Sequence, residues 1–124
     1  MAKNKLAVLV TSKPTSNTTH TAIKAIEGAI ATNNIEVIGV FFYHDGVCCA
    51  NQQMQIPSDE FQPLVHWQQL HLTHHIPLHL CITAAEKRGL TDEPSTCNIA
   101  PEFTVSGLGQ LVELTSQADR VLHL

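Results

Sequence analysis

One cysteine occupies a position that suits a nucleophile. Cys81 lies in LHLCITAAEKRG (78–89), where an apolar, strand-like run at residues 78–83 passes into Ala-rich, helix-like residues at 84–88. Backbone N–H groups at the start of a helix that follows the sulfur would favour the thiolate, and Lys87 and Arg88 add positive charge downstream. The alternative is a small buried hydrophobic residue, because cysteines in apolar strands commonly pack in that way.

The other three cysteines form a weaker chemical pattern. Cys48 and Cys49 are adjacent in a loop with His44 nearby, which suggests a mixed thiolate and imidazole metal site. Adjacent cysteines lack the gap of two or more residues that zinc knuckles use, and Cys97 supplies no second pair. We therefore expect one buried and one exposed loop thiol, with a redox or metal role as the alternative.

The histidines also raise the question of a metal. His71, His74 and His75 lie close together on a predicted helix, where partial burial or a subunit contact would explain them without a metal. A catalytic pair between Cys81 and a histidine stays open, because the sequence does not specify which histidine would serve. We expect no bound metal and no cofactor.

Two further segments could bind a phosphate group. SKPTSNTTH (12–20) supplies hydroxyl groups at a predicted helix start but contains no glycine, so a capped surface loop is the preferred interpretation. SGLGQL (106–111) has two glycines without the GxGxxG spacing directly after a strand. One Trp and one Tyr in the whole chain offer few surfaces on which a flavin could stack.

Apolar runs and helical spacing predict the elements that would position Cys81. Short runs rich in Val, Leu and Ile predict strands at residues 5–11, 35–43, 78–83 and 120–124. Helical spacing and caps predict helices after Asn17 or Thr18, from Pro63, over 84–88, and after Ser106 as a cap. Residues 44–60 are predicted to be a long loop with room for a short helix, and residues 91–105 to be irregular.

Strands that alternate with helices predict an α/β fold. We expect a three-layer sandwich, flavodoxin-like or Rossmann-like, with a mostly parallel central sheet of about five strands. Working sites in such sheets lie beyond the carboxyl ends of the strands, and Cys81 is near that edge.

Composition limits the size and location of the protein. The 124 residues are close to the size of one domain, and 44% apolar content is enough for one core. The net charge of -4 leaves no large basic surface, so we expect no direct nucleic acid binding. No apolar run approaches the roughly 20 residues of a membrane span, and the early apolar run is too short for a signal peptide. We expect a single domain over 1–124, cytoplasmic, with reduced cysteines and no membrane contact.

Six segments are recognisable when they are taken in order along the chain. They are FFYHDGV (41–47), SDEF (58–61), WQQL (67–70), LHLCITAAEKRG (78–89), SGLGQLVE (106–113) and ADRVL (118–122). Together they resemble the DsrE/TusD family of sulfurtransferases, most of all its TusD branch. Lys87 departs from the pattern, since relatives often have arginine there, and Cys48 and Cys49 stand where other residues are expected. These departures concern partner docking and leave the sulfur-carrying cysteine in place.

The resemblance implies a DsrE-like sandwich and a cysteine, matched by Cys81, that carries sulfur as a persulfide. It further implies a heterohexamer with TusB-like and TusC-like subunits, a TusA-like sulfur donor, a TusE-like or DsrC-like acceptor, and 2-thiouridine modification of the tRNA wobble uridine. The DsrE branch implies intracellular sulfur oxidation instead, with DsrF-like and DsrH-like subunits. A non-catalytic assembly subunit and a phosphate-binding or nucleotide-binding flavodoxin-like module stay open as alternatives.

Overall fold

The computed structural model describes residues 3–124 of the chain, in which five parallel strands form one sheet. The spatial order is β4-β3-β2-β1-β5. The strands are β1 (Asn4–Val10), β2 (Ile35–Phe42), β3 (Leu78–Cys81), β4 (Phe103–Ser106) and β5 (Arg120–His123). The predicted α/β architecture with a mostly parallel sheet of about five strands is confirmed.

Four α-helices and one 3-10 helix connect the strands. The α-helices are α1 (Asn17–Thr32), α2 (Pro63–His74), α3 (Ile82–Glu86) and α4 (Leu108–Gln117). The predicted loop after β2 contains the 3-10 helix, His44–Ala50, followed by an irregular stretch that leads to α2. No helix among residues 3–124 combines the length and the hydropathy that a membrane span requires.

The helices cover the two faces of the sheet unequally. Phe42 packs edge-on against Trp67 of α2, with ring centroids 4.9 Å apart. Gly39, three residues earlier and therefore on the opposite face, lies directly under Leu114 of α4. The 3-10 helix contacts both α2 and α3, which places them with α1 on the Phe42 face. Phe41 and Phe42 are both fully buried because each face has its own cover.

The connections after β3 and β4 separate at the carboxyl edge of the sheet. The chain leaves β3 into α3 on one face, whereas it leaves β4 into α4 on the other face. A crevice opens between neighbouring strands where successive connections part in this way. Cys81, the last residue of β3, is the parallel-register neighbour of Ser106, the last residue of β4, at this crevice.

Several predicted boundaries are wrong. β4 lies in the stretch predicted to be irregular, and Ser106 ends this strand while Gly107 takes the cap position of α4. The third strand stops at Cys81 instead of residue 83, and α3 begins at once. Ser16, in place of Thr18 or Asn17, caps α1, because its extended backbone lets Oγ accept a hydrogen bond from the Thr19 N–H at 3.2 Å.

The 3-10 helix depends on one glycine. A Cβ atom at Gly46 would collide with the backbone carbonyl of Val10, so the close approach of this helix to the end of β1 requires glycine. We expect Gly46→Ala to lower the free energy of unfolding by at least about 2 kcal/mol. Gly28→Ala is the control, since a Cβ there meets no atom within 4 Å and alanine favours helix by about 0.5–1 kcal/mol. Urea unfolding of both variants tests this; equal stabilities would contradict it.

Candidate functional site

A cleft of about 360 Å³ opens at the carboxyl ends of three strands. Residues after β2, β3 and β4 line it, so it coincides with the crevice where the connections diverge. The lining residues are Tyr43, His44, Cys81, Thr83, Ala84, Lys87, Arg88, Gly107 and Leu108. Cys81 is the one thiol among them, which brings the sequence-predicted nucleophile to the expected edge of the sheet.

Cys81 is buried, with 3% of its surface exposed, although it lines the cleft. The start of α3 follows the sulfur directly, and the start of α4 lies across the cleft from it. Cys81 occupies the N-cap position of α3, but its side chain makes no capping hydrogen bond. A reactant therefore has to reach the sulfur through the cleft, whose other walls include the exposed residues Thr83, Lys87 and Leu108.

Arg88 fixes one wall of the cleft. Its Nε donates a hydrogen bond to Asp45 Oδ1 at 3.0 Å, and its Nη1 donates to the Ala84 carbonyl at 3.0 Å. These contacts join α3 to the 3-10 helix and hold a guanidinium near the sulfur. Lys87, on the same wall, is exposed. The wall therefore carries a fixed cation and a mobile one.

His44 stands at the mouth of the cleft in a left-handed backbone conformation. Its φ of 49° is uncommon outside glycine, although histidine adopts such values more often than most residues, and it turns the chain at the start of the 3-10 helix. The imidazole lies against the Tyr43 ring, with centroids 4.2 Å apart. This turn brings an aromatic pair to the rim opposite α3.

The remaining thiols lie outside the cleft. Cys49 is fully buried and Cys48 is half-buried, which agrees with the prediction of one buried member of the pair. Burial raises the pKa of Cys49, an effect to which Cys48 adds and which the indole N–H of Trp67 opposes. Burial also raises the pKa of Cys48, while Arg88 lowers it. Cys97 is half-buried with its Sγ 3.5 Å from the Ile99 carbonyl oxygen.

Two residues that were not predicted to belong to the site lie on the same face of the sheet as Cys81. His79 Nδ1 and Ser106 Oγ are 3.3 Å apart, which joins β3 to β4 directly below the cleft. Burial lowers the pKa of His79, and the carboxylate of Glu113 on α4 opposes this effect. His79 was hidden in an apolar strand run, and Ser106 was interpreted as a helix cap.

Several other histidines have structural roles. His71 Nδ1 is 3.0 Å from the Ile76 carbonyl oxygen, and His75 ends α2 in a left-handed conformation. His20 and His66 stack on Phe61, with centroids 4.0 Å and 4.5 Å from it. Within residues 3–124, no cluster of three or more His, Cys, Asp and Glu side chains could hold a metal ion.

The hydroxyl-rich segment before α1 uses its polar groups internally. Thr19 is fully buried, and its hydroxyl contacts Ser12 Oγ at 2.6 Å and donates to the Lys13 carbonyl at 2.5 Å. The adjoining hollow, of about 230 Å³, also contains the carboxylate-bearing Glu60. This arrangement suits a capped loop better than a phosphate site.

A larger hollow of about 530 Å³ lies between α1 and α2, but its lining residues are less suited to nucleophilic chemistry than those of the cleft. Glu27, Gln69, Thr73 and His74 provide its polar lining, and it contains no thiol. Its position away from the carboxyl edge of the sheet also differs from that of working sites in parallel sheets. The smaller cleft at Cys81 is therefore the candidate site.

A family model described as the DsrE/DsrF-like family matches residues 4–124. The chain is 41% identical over 102 residues to a protein from Klebsiella pneumoniae named sulfurtransferase TusD, covering 77% of this chain and 80% of that one. It is 38% identical over 94 residues to a sulfurtransferase TusD homolog from Haemophilus influenzae, covering 72% of this chain and 75% of the relative.

Solved structures reproduce the fold over nearly the whole chain. The ychN protein from E. coli superposes with a TM-score of 0.79 at 20% identity, covering 99% of this chain and 100% of that one. A protein of unknown function from Methanobacterium thermoautotrophicum gives a TM-score of 0.74 at 11% identity, covering 98% and 100%. At these identities the likeness establishes the shared fold.

The burial of Cys49 predicts loss of stability at alkaline pH. Because the folded-state pKa of Cys49 is raised, the unfolded chain releases this proton first, near the ordinary thiol value of about 8.5. Stability should therefore fall above that pH, by up to about 1.4 kcal/mol per pH unit from this group. The free energy of unfolding is measured with urea between pH 8 and 10. It should fall less steeply with pH for Cys49→Ala than for the control Cys97→Ala; an equal dependence on pH would contradict the prediction.

Proposed function

This chain belongs to the DsrE/DsrF-like family, and from that premise we propose that it is a sulfur-relay sulfurtransferase that carries sulfur as a persulfide on Cys81. The names of the Klebsiella and Haemophilus relatives support sulfur transfer as the activity. The observation that carries the residue assignment is the cleft at the ends of β2, β3 and β4, which Cys81 lines and the other three cysteines do not.

The proposed reaction consists of two exchanges at sulfur. The Cys81 thiolate attacks the outer sulfur of a donor persulfide, a new S–S bond forms, and the donor leaves as its thiolate. The product is Cys81–S–SH, and no electrons are gained or lost overall. An acceptor thiolate then attacks the outer sulfur, and Cys81 leaves as a thiolate. Neither step needs a metal or an organic cofactor.

The surroundings of Cys81 suit this chemistry. Lys87 and Arg88 line the same cleft as Cys81, and their positive charge suits the approach of an anionic persulfide. Cys81 is buried where it lines the cleft, so donor and acceptor cysteines must reside on narrow, extended segments that can enter the cleft. Bulky folded surfaces would dock on the rim, which includes His44 and Leu108.

The physiological assignment follows the TusD relatives. We propose TusB-like and TusC-like subunits as companions in a heterohexamer, a TusA-like donor, a TusE-like or DsrC-like acceptor, and 2-thiouridine in tRNA as the destination of the sulfur.

A second candidate function is that of a non-catalytic assembly subunit, which the burial of Cys81 favours because inert structural cysteines are buried. Persulfide loading separates the two.

Loading of Cys81 is the central test. The purified chain is incubated with glutathione persulfide, and intact protein and peptides are weighed. We expect one additional sulfur atom on the Cys81 peptide. In Cys81→Ser the fraction of protein that carries the additional sulfur should be at least tenfold lower, a factor that corresponds to about 1.4 kcal/mol. Cys48→Ser is the matched control and should load normally. Loading that survives Cys81→Ser and disappears in Cys48→Ser would reject the assignment; absence of loading even with the companion subunits would support the assembly role.

Lys87 should assist the approach of an anionic persulfide. It is an exposed cation on the cleft wall, and exposed charge pairs contribute about 0.5–1 kcal/mol. We expect Lys87→Ala to slow loading of Cys81 by about two- to fivefold at low salt, and the difference to shrink at high salt. Lys24→Ala on α1 is the control with the same charge change. Equal slowing by both variants would show that only net charge matters.

A further inference from the structure

An imidazole, a hydroxyl and a thiol lie on neighbouring positions of β3 and β4 beside the cleft. His79 precedes Cys81 by two residues in β3, so the two side chains share a face of the sheet. Ser106 is the direct parallel-register neighbour of Cys81 in β4 and lies on that same face. Ser106 Oγ is 3.3 Å from His79 Nδ1. The hydroxyl therefore stands beside both the thiol position and the imidazole.

The spacing of the sheet brings the hydroxyl within reach of the sulfur. Adjacent strands lie about 4.8 Å apart, and side chains paired in register leave the sheet side by side. Serine and cysteine each place one polar atom beyond Cβ, so the two atoms leave the sheet side by side, and the relay requires a χ1 change at Cys81 that brings its sulfur to Ser106 Oγ while the His79 contact is kept. Cys81 lines the cleft together with Gly107 and Leu108, which continue directly from Ser106.

The surroundings of His79 suit a proton acceptor. The imidazole is half-buried, and burial lowers its pKa, so it is neutral near pH 7 and has a nitrogen available to accept. Glu113 on α4 is the charged group that acts on it. The charged and titratable groups around the sulfur itself are Lys87 and Arg88 of the α3 wall and His44 at the rim. None of these is joined to Ser106 by a hydrogen bond.

We propose that Ser106 and His79 form a proton relay for Cys81, an inference that rests on the persulfide chemistry proposed above. The Cys81 S–H donates to Ser106 Oγ, and the Ser106 hydroxyl donates to Nδ1 of the His79 tautomer protonated on Nε2. As the sulfur attacks the donor persulfide, its proton passes to Ser106 and the Ser106 proton passes to His79. The half-exposed imidazolium then returns this proton to water or to the departing donor thiolate. His79 acts through Ser106 and is therefore a positioning residue.

The relay is tested by the pH profile of Cys81 alkylation, which requires no sulfur donor. Iodoacetamide modification of the Cys81 peptide is followed by mass spectrometry in the unchanged chain, His79→Gln, Ser106→Ala and Ser106→Thr. We expect His79→Gln and Ser106→Ala to move the midpoint of the profile upward by about one pH unit, and so to slow alkylation at pH 7 about tenfold. Ser106→Thr keeps the hydroxyl and should retain the original profile.

His123→Gln is the control for loss of a histidine, since His123 lies on β5 at the far edge of the sheet. It should leave the midpoint unchanged. Midpoints for His79→Gln and Ser106→Ala that match the unchanged chain would overturn the relay. If His79→Gln does not fold, the comparison of Ser106→Ala with Ser106→Thr decides in the same way.

The alkylation test and the persulfide-loading test can fail separately. A chain that loads sulfur on Cys81 but shows no midpoint shift in the variants retains its sulfurtransferase role and loses the relay. A chain that shows the shift but never loads sulfur retains the relay as a means of activating the thiol and loses persulfide transfer.

Discussion

The divergence of the chain after β3 and β4 is the constraint on which the candidate site depends. The first three connections advance the sheet one strand at a time, whereas the last must cross from the β4 edge to the β5 edge. That crossing is about 19 Å for four strand spacings. It runs in the opposite direction to the first three connections, and crossovers between parallel strands are right-handed, so α4 lies on the face opposite α3 and a crevice is left between the two helix starts.

The crevice also explains why Cys81 differs chemically from the other thiols. Cys48 and Cys49 belong to the 3-10 helix, which packs under α2 and α3, so burial raises their pKa and suppresses the thiolate. By area Cys81 is nearly as buried as Cys49 and more buried than Cys48, but it lines the cleft and directly precedes a helix. Burial by area and accessibility to a reactant are therefore separate properties at this site.

The sequence was sufficient for the sheet and the position of Cys81 because both depend on local patterns. Runs such as IEVIGVFF are apolar enough to require cover on both faces, and a strand-to-helix change within residues 78–88 is visible in composition, although its boundary was predicted two residues too late. β4 was missed because it is only four residues long, only its Phe103 is buried, and it lies in a polar, turn-rich stretch. Its hydrogen-bonded pairing with β3, which no local pattern reveals, makes it a strand. The burial of Cys81 and its pairing with Ser106 depend on long-range register, which no single-segment pattern encodes.

Burial has a further consequence for a persulfide. The outer sulfur of a persulfide is exposed to any thiol in solution, so a carrier that held it at the surface would lose it to unintended acceptors. A buried sulfur that lines a cleft admits only narrow segments, and Arg88 and Lys87 on the same cleft supply positive charge for an anionic reactant. Attack on a donor persulfide also requires that the thiol proton leave the sulfur. In the proposed relay His79, reached through Ser106, is the group that takes this proton.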